Sequence, residues 1–86
     1  MPVISRFYGI SIRMFYNDHA PPHFHAVYGE QELAVRIDPV TVISGAVPKR
    51  VQSMVLHWAE LHQAELLDNW NRGRQTDPFQ PIDPLP

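Results

Sequence analysis

Between Asn17 and Ala26 the chain reads NDHAPPHFHA, which places three of its five histidines and an aspartate within eight residues. Side chains of these types at this density support two kinds of chemistry. They can hold a divalent transition metal, with Asp18, His19, His23 and His25 as candidate donors, because imidazole nitrogen and carboxylate oxygen both suit such ions. They can also move protons on a phosphodiester, with His23 and His25 as acid and base and Arg36 neutralising the phosphate. No nucleophile elbow, phosphate loop or metalloprotease helix accompanies them, so whether the chain is an enzyme is left open, leaning to no. The plainer reading makes them the polar face of a one-sided sheet, with Asp18 and His19 shaping the turn before Pro21.

Which reading holds depends on the elements that position these residues. Val3 to Tyr8 and Ile10 to Tyr16 are rich in β-branched and aromatic residues and flank Gly9, which predicts two strands around a turn. Pro21 and Pro22 then remove two backbone donors and make Asn17 to Pro22 a loop. HFHAVYGEQELAVRID predicts a hairpin turning at Gly29-Glu30. In that register Phe24 faces Val35, Ala26 faces Leu33 and Tyr28 faces Gln31 on one side. His23 faces Arg36, His25 faces Ala34 and Val27 faces Glu32 on the other. Two imidazoles at i and i+2 then stand about 6.6 Å apart at Cα on the side away from the core, close enough to share one ion.

Val40 to Ser44 predicts a fifth strand before Gly45. From Pro48 to Gly73 the period is that of one long helix, with Gly73 as its C-cap and Val51, Met54, Val55, Trp58, Ala59, Leu61, Leu66 and Trp70 on its apolar side. His62 falls inside that stripe as a core or boundary residue, and His57 on the wet side. Lys49 and Arg50 in the first turn read as solvated cations, the alternative being an anion or nucleic-acid contact, a class the net charge of −2 does not favour. DPF, QPI and DPL repeat a three-residue unit, so Phe79, Ile82 and Leu85 share one edge of an extended tail that packs on its own domain or on a second chain.

The 86 residues bound one domain with a modest core. Zero cysteines exclude a disulfide scaffold and any thiolate site, which fits a cytoplasmic location, and no apolar run is long enough for a membrane span. The expectation is an α+β domain over residues 1–74, with an antiparallel four- to five-stranded meander and one long C-terminal helix across one face. An extended proline-rich tail follows over residues 75–86. One helix covers one face of such a sheet, so the face carrying Arg13, His23, His25 and Arg36 is left for a partner, as is the tail edge of Phe79, Ile82 and Leu85.

In their order, MPVISRFYGI, NDHAPPHFHA, YGE, VPKR and WAELHQAELLDNW resemble a bacterial family of short proteins, the domain-of-unknown-function family forty-one-sixty, from Met1 to about Trp70. The resemblance implies no activity, cofactor or catalytic residue. It marks Asn17, Asp18, His19, Pro21, Pro22, His23, Phe24 and His25 as the signature. It also implies a protein partner, because such proteins often form one half of a two-gene unit, similar to toxin–antitoxin pairs, beside a second small family, twenty-four forty-two. The leading expectation is therefore an interaction module, homodimeric or bound to a small companion protein. A metal-binding or ribonuclease-like protein using the His-x-His strand is the alternative, and a nucleic-acid-binding regulator the second one.

Overall fold

Alternating apolar residues build five strands in the computed structural model, which describes residues 2–86 and so leaves Met1, the first residue of the expected domain, outside the described residues. The strands are β1 (Val3–Phe7), β2 (Ile10–Arg13), β3 (His23–Tyr28), β4 (Gln31–Ile37) and β5 (Val40–Gly45). They form one antiparallel sheet in the order β1-β2-β3-β4-β5. The first turn uses Tyr8 at φ 48° and Gly9 at φ 78°, two successive left-handed residues that match the twist of a tight hairpin. The second turn has Gly29 at φ 59°, and the expected β3–β4 register is observed at all six pairs from His23↔Arg36 to Tyr28↔Gln31.

That register sends Phe24, Ala26, Leu33, Val35 and Ile37 to one face, where they are buried with Ile10, Ile12 and Met14. Two helices cover this face: α1 (Lys49–Leu61) and α2 (Gln63–Arg74). The expected single rod is thus corrected. The chain bends at His62 (φ −117°, ψ 24°), although His62 N–H still donates to Trp58 O and Leu66 N–H to His62 O, so the bend opens little of the ladder. A straight helix of about 25 residues would span roughly 37 Å, longer than the molecule's largest extent of 34 Å. Bending instead keeps Leu66, Asn69 and Trp70 buried alongside Val51, Val55 and Trp58. Gln63 Nε2 marks the corner by donating to Ile37 O at the end of β4.

Two further expectations change with the bend. Leu61, placed on the apolar stripe, is exposed, because the stripe of α1 ends at Trp58 and Ala59. Gly73 is not a cap but a buried residue inside α2, where the ring of Phe79 lies against its Cα side. His62 takes the expected boundary position, its ring beside Trp58 and its Nδ1 2.6 Å from Glu65 Oε1. Near the end of α2, Arg72 Nε donates to Asp68 Oδ2, and that carboxylate holds the guanidinium pKa above its ordinary value.

Residues 77–86 carry no helix or strand and lie against the domain. Ile82 is buried, and Phe79 and Leu85 pack on the core from outside. Ile82 N–H donates to Ile4 O, so this segment covers the free edge of β1. No described helix is long and apolar enough to cross a membrane.

Candidate metal centre

Strand alternation places His23 and His25 on the sheet face opposite the helices, as the spacing predicts. The loop that precedes them then folds back over that face. Asn17 takes φ 53°, a left-handed conformation that asparagine tolerates better than most residues. Its N–H donates to Gly73 O near the end of α2, and at the other end of the loop Pro22 O accepts from Ile37 N–H of β4. Pinned at both ends, the loop brings Asp18 Oδ2 to 3.1 Å from His23 Nε2 and 3.9 Å from His25 Nε2.

The outer nitrogens decide what the inner ones can do. His23 Nδ1 lies 2.7 Å from Pro21 O, a carbonyl that can only accept, so Nδ1 carries the proton. His25 Nδ1 lies 3.0 Å from Glu32 Oε2, and an ionised carboxylate imposes the same tautomer. With Nδ1 so engaged, both Nε2 atoms face Asp18: a neutral ring would offer it a lone pair, which only an ion between them makes favourable, and a protonated ring would donate to the carboxylate. A histidine held through its other nitrogen by a carbonyl or carboxylate is the usual second layer of a metal site.

The donor atoms of Asp18, His23 and His25 all lie within 4.8 Å of one another. Ligands at about 2.0–2.2 Å around one ion sit roughly 3–3.5 Å apart, so only small side-chain movements separate this arrangement from coordination. The three side chains are largely shielded, at 15, 10 and 19% exposure for Asp18, His23 and His25. Phe15 stands edge-on to His25 and Trp70 tilts against His23. The expected solvent-facing imidazoles are thus on the expected face but covered, His23 being buried. A cleft of about 320 Å³ opens beside them, its far wall made by Ala34, Ile43 and Ser44. Two nitrogens and one carboxylate leave coordination positions free for water or a ligand group, which is the composition of open, reactive centres rather than of closed structural ones.

The other candidates fall outside this cluster. His19 is 93% exposed; its N–H and Nδ1 both lie near Asp18 Oδ1, the oxygen turned away from the two imidazoles. Arg36 pairs in register with His23, but its Nε donates to Asp38 O and the residue is exposed. Arg13 is in register with His25 on β2. Lys49 and Arg50 are exposed at the start of α1 and take no part in the cluster. Phe79, Ile82 and Leu85 meet the chain's own core. Glu32 was absent from the candidates. Its signal was available, since the hairpin register puts it on the same face as His25, one diagonal step away.

Neither the comparison with curated proteins nor that with solved structures finds a match. A family model does match over residues 9–71, a span that contains all three donors and Glu32. The chain belongs to the family described as Domain of unknown function (DUF4160).

Proposed function

We propose that this small module works through a single divalent transition metal held by Asp18 Oδ2, His23 Nε2 and His25 Nε2. The observation that carries the reading is the convergence of these three donor atoms, with each Nδ1 engaged on the outer side. Pro21 O and Glu32 Oε2 each accept from an Nδ1–H, which leaves both Nε2 atoms facing one point beside Asp18, where a metal would take the place of their protons. A bound ion would present a water, or an oxygen of a bound partner molecule, to the cleft under Ala34, Ile43 and Ser44, and would acidify or polarise it. The nitrogen-rich donor set favours zinc, iron or cobalt over magnesium or calcium. The test is titration of tag-free protein with Zn²⁺ and Co²⁺. The expected result is one ion per chain, a cobalt spectrum of low symmetry, and loss of both in Asp18→Ala, His23→Ala and His25→Ala. Binding that is absent, or that survives in all three variants, sinks the proposal.

A second reading rests on the face itself. The helices pack on the other face of the sheet, α2 reaching His23 at its end through Trp70, and Ile43 is 48% exposed next to the cleft. That surface supports docking of a small companion protein, with the chain as one component of a two-gene toxin–antitoxin-like or regulatory pair. The cysteine-free composition supports a cytoplasmic setting for such a pair. Co-expression with the companion should yield a complex that Ile43→Glu disrupts while metal binding persists. A complex indifferent to that change would place the interface elsewhere.

A further inference from the structure

The segment at the C-terminus is held mainly through its backbone. Asn69, fully buried, uses both ends of its amide on one residue: Nδ2 donates to Gln80 O and Oδ1 accepts from Gln80 N–H, each at 2.8 Å. Trp58 Nε1 donates to Asp83 O, and Ile4 O accepts from Ile82 N–H. Between these anchors Ile82 is buried, while Phe79 stacks on Tyr16 with ring centroids 4.4 Å apart. Four hydrogen bonds aimed at an extended main chain, with apolar side chains at every third position, form a peptide-binding groove. The peptide inside it is the chain's own.

What joins groove and peptide is weak by comparison. Residues 75–78 are all exposed. Their reversal depends on Thr76 at φ 56°, a left-handed conformation that a β-branched residue adopts only under strain. Backbone hydrogen bonds from Gln75, Thr76 and Asp77 to Arg72 O and Gly73 O close the turn. Straightening it would release the strained residue and leave every groove contact available to another copy of the same segment.

We propose that residues 77–86 exchange between two copies of the chain, each groove being filled by its partner's segment. The contacts in the groove are then the same in the closed monomer and the exchanged dimer. The balance is set by the turn at Thr76 and by protein concentration, the usual terms of a domain swap. This inference is independent of the metal centre, and its test leaves Asp18, His23 and His25 untouched.

The test changes only the turn. Thr76→Pro forbids a positive φ and removes the N–H that donates to Gly73 O, so the closed form is excluded while the groove is intact. Thr76→Gly accepts the positive φ and favours closure. Light scattering across a concentration series should show Thr76→Pro dimerising roughly tenfold or more tightly than the wild type, and Thr76→Gly less tightly. Energy transfer between separately labelled full-length chains, one carrying Arg6→Cys and the other Pro86→Cys, should appear on mixing the wild type at high concentration, the native chain having no cysteine to confuse the labels. A Thr76→Pro chain that stays monomeric at millimolar concentration, its tail detached, overturns the proposal. So does a wild-type mixture whose labels never meet.

Discussion

At the scale of single residues, the proposed centre divides into groups that would touch an ion and groups that aim them. Glu32 belongs to the second kind: it meets His25 Nδ1 at 3.0 Å and lies across the β3–β4 hairpin, one diagonal step away. Removing such an orienting partner typically costs about 10–100-fold in metal affinity. Glu32→Ala should therefore weaken zinc binding by about that factor in calorimetry, while Glu32→Gln, which keeps an acceptor oxygen, should lose less. His19→Ala should leave stoichiometry and affinity nearly unchanged, since its ring is solvent-exposed and faces the outer oxygen of Asp18. The positions of His23 and His25 were legible in sequence because a two-residue period admits one answer once Phe24 is inward. Asp18 was legible too as a loop donor, but only alongside His19, and which of the two reaches the imidazoles was not. That choice depends on Asn17 at φ 53° and on its hydrogen bond to Gly73 O, a partner from the far end of the chain that no local pattern announces.

The strands and the hairpin register were readable for the same reason, alternation being a strong local signal. The break between α1 and α2 was not readable, because neither proline nor glycine marks it and strong helix formers continue through His62. It answers to the width of the sheet beneath, a tertiary quantity. One glycine shows how tightly such elements are fitted. Gly45, at φ 88°, pairs with Leu33 where β5 ends, and a Cβ there would run into the backbone carbonyl of Glu32. Backbone cannot yield as a side-chain tip can, and the left-handed conformation adds its own cost of about 1–2 kcal/mol. Together with overpacking of about 1–3 kcal/mol, Gly45→Ala should lower unfolding stability by at least about 2 kcal/mol in urea titration. Because the displaced carbonyl belongs to Glu32, its zinc affinity should fall as well. A stable Gly45→Ala protein with unaltered affinity would mean that the edge strand bends freely and does not position the centre.

For the molecule as a whole, the centre joins parts that the sheet alone does not hold. Asp18 belongs to a loop tied to α2 through Gly73, and His23 and His25 to the middle strand, so an ion coordinated by all three would fasten loop to sheet. The unfolded chain still contains the three proposed ligands but not their arrangement, so the free energy of binding would enter that of folding. At free metal one hundred times the dissociation constant, a native-state ligand adds about 2.7 kcal/mol. For a domain of this size each kcal/mol moves Tm by about 4–8 °C, so saturating zinc should raise Tm by about 10 °C or more. Asp18→Asn, which keeps the side chain's size but removes its charge, should abolish most of that rise without greatly changing the metal-free Tm. Binding to the unfolded chain would diminish the shift equally in both proteins, so the difference between them isolates the assembled site. If the two proteins respond alike, the metal is meeting scattered histidines, and the convergence of Asp18, His23 and His25 is an ion-pair cluster that braces the loop without a metal.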